Sequence, residues 1–502
     1  MSVNALIFTE ITNSAITSGR ALGAYKIATE LRKNGYTCQV IDCFTSFSDA
    51  EIDMVVSSFI GNDTLMVGFS STFFSYIDPI LYNWQQKNIR LKKMTANFPY
   101  HSSKMMVLFD KIKNINPKIK IILGGAKSLY LIGPVDAFAV GYCDQAIVEY
   151  MKYLEGKNPF FQFEKINETQ IAFYGSNYTT SYDFNASTVD WHETDCLQHG
   201  ESVPIEVARG CIFRCKFCAY PLNGKKKLDY IKYNDILRDE FLKNYYEHGI
   251  TRYTYVDDTH NDSVEKLERL HKIVNSLPFE LEYAAYLRLD LIYAHKHTAS
   301  LLRESGLRAA TFGIESLNHK AASAIGKGLH PTKIKETLHW LKDDVWKNEV
   351  AMTSGFIVGL PNDTPETVRE WSKWILDPVC PLDSFIVYPL GIGGYNSKGR
   401  VWRNEFELGA EKYGYVLGIN GDWSNKYFTM DSADAIATEI NEKARTSGRL
   451  RMAGFQLVAL ANLGYAPAEL IGKQRSAELL QQIRERTTIY VNNYKNKLFK
   501  RM

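Results

Sequence analysis

The sequence predicts an α/β protein in three parts. A doubly wound, parallel-sheet domain covers residues 1–156, a partial (β/α)6 barrel 201–395, and a mostly helical region 396–502, with 157–200 as a linker. Three observations carry this expectation. Apolar strand-like runs alternate with amphipathic helical stretches in two separate blocks. Between the blocks, Asn, Thr, Ser and Tyr dominate, as in GSNYTTSYDFNAST, and the pattern is lost. After about residue 400 strand signals stop and helical ones continue. At roughly 100–200 residues per domain, 502 residues make two to four domains. A composition 45% hydrophobic and 23% charged excludes disorder as the main state.

In the first block the strands are Asn4–Thr9, Thr37–Phe44, Thr64–Ser71, Ile119–Leu123 and Ala137–Gly141. Helices cover Gly19–Gly35 and Asp144–Gly156. Residues 86–118 read as an insertion whose basic run, Arg90–Lys93, is a solvated face. Five buried strands of this kind imply a flavodoxin-like domain, which receives ligands at the carboxyl ends of its strands. In the second block the strands are Pro204–Ala208, Arg252–Val256, Leu281–Leu287, Ala309–Ile314, Val350–Val358 and Ser384–Tyr388. Such a barrel also works at the carboxyl ends of its strands.

Charge and hydropathy narrow the setting. Lys plus Arg (59) less Asp plus Glu (56) leaves +3, so no global field draws the chain to nucleic acid, which is not indicated as a partner. No apolar run reaches about eighteen residues, so no membrane partner is expected. The opening MSVNALIFTE has no basic stretch ahead of an apolar one, and a cytoplasmic location is expected.

There clustered cysteines read as ligands rather than staples. Cys38, Cys43, Cys143, Cys196 and Cys380 are scattered, whereas Cys211, Cys215 and Cys218 crowd the loop after the first barrel strand. Three thiolates on one loop can hold three corners of a cubane iron–sulfur cluster, leaving the fourth iron open. A structural zinc would need a fourth ligand, for which Cys196 and His199 are candidates.

The C-x3-C-x2-C spacing, with Phe217 before the third cysteine, resembles the radical S-adenosylmethionine (radical SAM) superfamily. The resemblance runs over roughly 200–390. It implies a [4Fe–4S] cluster on Cys211, Cys215 and Cys218, which also become the catalytic residues, and reductive cleavage of S-adenosylmethionine to a 5′-deoxyadenosyl radical. Matching the family strand by strand, Asp257 and Asp258 end the second strand, where polar contacts to the methionine end are made. Arg288 ends the third. Glu315 and Ser316 end the fourth, where the ribose binds, and Lys327-Gly328 follows. Gly355 to Pro361, with Gly359, matches the element that packs on adenine.

The first domain is similar to cobalamin-binding domains found ahead of such barrels, through Gly124-Gly125-Ala126 and Ala139–Asp144. It departs from them in having no Asp-x-His-x-x-Gly loop, so cobalamin held without histidine and a retained scaffold both fit. The expected function is a radical SAM enzyme, with cobalamin-dependent methyl transfer ahead of cobalamin-independent rearrangement, cyclisation or oxidation. A methylthiotransferase-like enzyme is disfavoured because Cys38, Cys43 and Cys143 are too dispersed for a second cluster. A non-enzymatic iron–sulfur protein is the outside reading. Expected partners are a reductant such as flavodoxin or ferredoxin and a small-molecule substrate, anionic if Lys225-Lys226-Lys227 meets it. The stretch Gly421–Met430, with Trp423, is expected to close the barrel floor or join the substrate pocket.

Overall fold

A short run that is apolar on both faces can be satisfied only inside a sheet covered on both sides. Strands β1 (Ala5–Phe8), β2 (Cys38–Ile41) and β5 (Ala137–Val140) are buried at every position. In this computed structural model they join β3 (Met66–Ser70), β4 (Lys120–Gly124), β6 (Glu164–Lys165) and β7 (Ile171–Tyr174) in one seven-stranded sheet. The residues described are 2–9, 12–13, 16–17, 19–70, 99–125, 135–218, 230–392, 404–418, 422–448, 454–470 and 476–502. Sheet order is β2-β1-β3-β4-β5-β7-β6, parallel except for the β6–β7 pair. Helices α1 (Leu22–Lys33) and α4 (Asp144–Leu154) cover one face with Ile7, Val40, Ile122 and Ala139. Helices α2 (Asp49–Phe59) and α3 (Pro99–Ile115) cover the other with Leu6, Phe8 and Val67.

The sheet outlasts the boundary expected at residue 156. Strand β7 lies inside the stretch read as linker, where buried Phe173 stacks on Tyr150 at 4.8 Å. The strap proper therefore begins at Gly175, where a Cβ would stand 1.9 Å from the Tyr142 carbonyl oxygen. It lies along α1: Trp191 packs on Tyr25 (4.5 Å), and Arg32 forks onto Asp195 at 2.7 and 2.9 Å.

The second sheet has six parallel strands in sequential order: β8 (Ser202–Ile205), β9 (Arg252–Tyr255), β10 (Glu282–Leu287), β11 (Leu307–Glu315), β12 (Ala351–Val358) and β13 (Ser384–Pro389). Alternation sends Tyr253, Tyr283, Phe312 and Phe356 outward into a shell shared with α5 (Asn234–His248) and α6 (Val264–Asn275). Inward positions near the amino ends are small. Ala284, Ala309 and Ala351 form one apolar cluster with Leu457 and Val458 of the helix Gly454–Ala459, which closes the floor. The Trp423 stretch, expected either to close this floor or to join the substrate pocket, does not form the floor: Trp423 packs at the carboxyl end of β12. Helix α7 (Met430–Thr446) protects the last strand, Asn441 accepting from Val387 N (3.1 Å) and donating to Val387 O (2.7 Å).

One buried arginine joins the parts. Arg20 pairs with Asp42 (2.9 Å) and Glu201 (2.6 Å) and donates to Asp195 O (2.8 Å). Tyr490, on α8 (Ala477–Phe499), donates to the same Glu201. Among the described residues no helix is long and apolar enough to cross a membrane.

Candidate functional site

Beyond β8 the chain is anchored before it reaches the cysteines. The backbone N–H groups of Val207 and Ala208 both donate to Asp257 Oδ1 at 2.9 Å. Gly210, at φ +112°, turns the chain into the cysteine loop, a conformation that suits glycine. Cys211 is buried, Cys215 and Cys218 are half-buried, and none is in a disulfide. Cys211 Sγ lies 3.4 Å from Thr259 Oγ1, and Arg288 Nη1 donates to Cys215 Sγ at 3.4 Å. Burial pushes the Cys211 thiol up. The donor set fits an iron–sulfur cluster: three thiols on one loop, with a guanidinium beside one and a hydroxyl beside another. Among the described residues no three His, Cys, Asp or Glu side chains are already grouped as metal ligands, these cysteines included. Neither zinc candidate joins them. Cys196 contacts Thr194 O in the strap (3.4 Å), and the His199 ring stands against Gly249.

The strand ends divide the expected cofactor residues into those that open on the barrel and those spent within the protein. Asp257 is spent. It is 1% exposed, its Oδ2 sits 3.1 Å from Lys266 Nζ and 3.4 Å from His260 Nδ1, and Lys266 and His260 help hold it well below the usual carboxylate range despite burial. Both of its carboxylate oxygens are thus engaged by the protein's own groups. Ser316 is likewise buried, and its hydroxyl accepts from Asn318 N (3.0 Å) in a local turn. At Gly359, φ is +92° and a Cβ would stand 2.4 Å from the Trp423 indole, so the absence of a side chain here admits Trp423. Arg288 forks onto Asp290, at 2.6 and 3.0 Å, while its guanidinium lies 3.8 Å over Phe213.

Three positions remain on the lumen side. Glu315, at φ +68°, is pushed up by burial, and its Oε1 stands 3.9 Å from Lys327 Nζ. Gly313 leaves room for this pair, since a Cβ there would lie 2.9 Å from both groups. Gly355, paired with Gly313 across β11 and β12, has nothing within 4 Å of a Cβ and so faces open space. Asp258 is half-buried, and burial with the Asp257 and Glu206 carboxylates nearby holds its carboxyl up to about 7. Phe217 is half-buried against the main core. Ala126 and Lys225–Lys227 lie outside the described residues.

A cleft of about 490 Å³ joins the two sheets. The first domain contributes Gly68 within β3, Gly124 and Gly125 at the end of β4, and Gly19 and Gly23 at the start of α1; the barrel contributes Glu206, Arg209, Asp258 and Tyr286. No histidine lines it among the described residues. Arg209 clasps the halves, bonding Glu206 at 2.7 and 2.8 Å and Asp144 of α4 at 2.8 and 3.3 Å. Its guanidinium lies 4.3 Å over Tyr142 and 4.6 Å over Phe184. Lys26, also on the cleft, is lowered to about 8 by burial and donates to Thr188 O at 3.1 Å.

Residues 205–375 match the model of the radical SAM superfamily. The barrel belongs to the radical SAM superfamily. Membership brings a [4Fe–4S] cluster and S-adenosylmethionine as cofactors, and the cysteine loop lies within the matched segment. Comparison with curated proteins gives no match. Over the full length the fold is similar to the radical SAM methyltransferase TsrM from Kitasatospora setae, solved with cobalamin and a [4Fe–4S] cluster. The TM-score is 0.61 at 12% identity, covering 98% of this chain and 99% of that one. It is also similar to OxsB, a cobalamin-dependent radical SAM enzyme solved with aqua-cobalamin, at TM-score 0.53 and 10% identity, covering 100% of this chain and 81% of that one.

Sequence reasoning missed several residues of this radical SAM barrel. Thr259 carries no sequence signal of its own, yet it is the side chain beside Cys211. Arg209 was hidden by its neighbours; its position two residues ahead of the first cysteine was the available signal. Asp144 was read as the start of a helix, and only the fold brings it 65 residues back onto Arg209.

Proposed function

We propose that this chain is a cobalamin-dependent radical SAM methyltransferase. The observation that carries the reading is the cleft, which opens glycine-lined strand ends of a flavodoxin-like sheet onto the barrel lumen. Small residues at strand ends let a large flat ligand approach the backbone. When bound, the cluster supplies one-electron cleavage of S-adenosylmethionine and cobalamin supplies methyl carriage. Cys211, Cys215 and Cys218 hold the cluster, with Arg288 placing positive charge beside Cys215. Glu315 and Lys327 offer a polar wall for the cofactor on the lumen side. Arg209 keeps the two walls of the cleft in register. The reductant is a small redox protein such as flavodoxin or ferredoxin. The full-length likeness to two cobalamin proteins supports the reading.

The test is uptake. Anaerobically reconstituted protein should hold about four irons per chain and take up one hydroxocobalamin, with a cobalt(II) EPR spectrum lacking imidazole nitrogen splitting. Gly124→Trp should abolish cobalamin uptake and keep the iron, because a Cβ at Gly124 has only the Phe69 carbonyl near it, at 3.7 Å, and points to the cleft. Wild-type protein that holds iron but takes up no cobalamin would remove methyl transfer through cobalt.

A further inference from the structure

A thiol is a poor hydrogen-bond acceptor and a thiolate a good one, so a guanidinium aimed at a cysteine sulfur is matched only when that cysteine is ionised. Arg288 is aimed in this way. Its Nη1 donates to Cys215 Sγ at 3.4 Å. Nε and Nη2 form another edge of the guanidinium and go to the Asp290 carboxylate at 3.0 and 2.6 Å, and Nη2 also reaches Gly326 O at 3.3 Å. The Phe213 ring covers the guanidinium face, its centroid 3.8 Å away. The main chain is clamped as well: buried Asn261 accepts from Arg288 N (2.8 Å) and donates to Arg288 O (2.9 Å). Head and backbone are both fixed, and this charge stands beside Cys215 without rearrangement when the thiolate forms.

The donors at Cys211 are neutral. They are the Phe213 N–H at 3.5 Å and the Thr259 hydroxyl at 3.4 Å, whose own proton goes to Asp258 O at 2.9 Å. Of these two cysteines, only Cys215 has a charged donor. Asp290 supplies the opposite charge behind the guanidinium. Burial works against its ionisation, but Arg288 holds its carboxyl below the ordinary value, so it is a carboxylate at neutral pH. The pair is therefore close to neutral as a whole and oriented, with its cation towards the sulfur and its anion on the other edge.

We propose that Arg288 and Asp290 set the reduction potential of the cluster in opposite directions. The guanidinium on the Cys215 sulfur raises it, and the carboxylate behind the guanidinium lowers it. Reduction by a one-electron donor adds one negative charge to the cluster. A hydrogen bond and a positive charge at a ligating sulfur favour that reduced form, and a carboxylate in the same half-buried surroundings disfavours it. The balance lets a charged brace hold the cysteine loop while the cluster stays a strong enough reductant for sulfonium cleavage. Arg288 acts through Cys215 and is a positioning residue. The inference rests on membership of the superfamily and is independent of cobalamin.

The experiment is an EPR-monitored redox titration of the anaerobically reconstituted full chain, with dithionite and mediators and without S-adenosylmethionine. Arg288→Gln should cut the ratio of reduced to oxidised cluster about tenfold at a fixed potential, a fall of about 59 mV for one electron. Asp290→Asn leaves the guanidinium charged and should move the ratio the other way, by about threefold or more. Arg288→Lys, which keeps the charge, should lie between wild type and Arg288→Gln. Iron content is read on every preparation. A brace with no electrical role would lower the iron content of Arg288→Gln and leave its remaining cluster at the wild-type potential. That result overturns the inference, as does Asp290→Asn with an unchanged or lowered potential. If Arg288→Gln holds no cluster, Asp290→Asn and Arg288→Lys decide by the same signs. Failure of the enzyme reading looks different: wild-type protein with a full cluster would then form no 5′-deoxyadenosine from S-adenosylmethionine.

Discussion

Asp257 and Asp258 are adjacent in sequence and opposite in chemistry. Lys266 and two backbone N–H groups hold the Asp257 carboxyl low, so it contributes stability above its unfolded value, about 3.9, that is lost as pH falls through the folded one. Asp258 is held up to about 7 by burial and like charge. Asp363, fully buried with its Oδ2 lacking a partner among the described residues, is also held up to about 7 by burial, against a hydrogen bond from Asn318 Nδ2 at 2.9 Å. For these two the sign reverses. Between about pH 4 and 7 the unfolded chain releases a proton that the folded chain keeps, so stability falls as pH rises across that window and then levels. Asp363→Asn should therefore match wild type near pH 4 and exceed it increasingly up to pH 7, with a constant gain above. Urea unfolding at a series of pH values checks this; a gain that shrinks with rising pH would refute it. The sequence made both aspartates of the pair visible as candidates but could not assign them. Which one faces Lys266 depends on the path of the loop after β9 together with α6, which begins seven residues after Asp257.

At the scale of elements, long apolar runs were the legible part. All six barrel strands and the five main strands of the first sheet appear close to where alternation predicted them; β1, β2 and β5 are buried at every position, and the barrel strands are buried chiefly on their outward side. Two elements were not legible. Strand β7 is four residues in a polar stretch, and the floor helix Gly454–Ala459 is only six long, too short for a helical period to stand out. At Gly359 the structure adds a packing constraint to the motif. Its left-handed φ and the Trp423 ring 2.4 Å from a Cβ give the glycine a packing reason that sequence cannot display. Tyr415 OH donates to Gly359 O (2.7 Å) and Trp423 Nε1 to Leu390 O (2.8 Å), so the C-terminal region is stitched to the barrel at this point. Gly359→Ala should cost about 1–3 kcal/mol. Trp423→Ala in the same chain should recover part of that loss, because the collision is removed while the backbone strain persists. A double-mutant cycle by chemical denaturation measures the coupling; strictly additive effects would show that Trp423 is not what Gly359 accommodates.

Across the whole molecule, the contacts that unite the parts link residues far apart in the chain, which no local pattern reveals. Arg20 reaches Glu201 across 181 positions, and Tyr490 reaches the same carboxylate across 289. Tyr25 and Tyr494 flank the guanidinium, its centre 5.6 and 5.5 Å from their ring centroids, and the strap supplies the carbonyl oxygens of Asp195 and Cys196. One fully buried cation thus ties the first sheet, the strap, the start of the barrel and the last helix, and Arg20 also lines the cleft. Arg20→Met should leave Asp42 and Glu201 buried without their counter-charge, at a cost of about 3–5 kcal/mol. The damage should fall on the junction rather than on the cysteine loop, whose anchors are Asp257 and Arg288. The variant should retain its iron at low temperature, melt earlier, and be cut by protease within the strap between residues 175 and 200. Adding Asp42→Asn and Glu201→Gln, which remove the stranded charges, should restore much of the melting temperature. Restoration would identify charge imbalance as the cause. Loss of iron in the single variant, with the strap still protected, would mean that Arg20 supports the barrel itself rather than the junction.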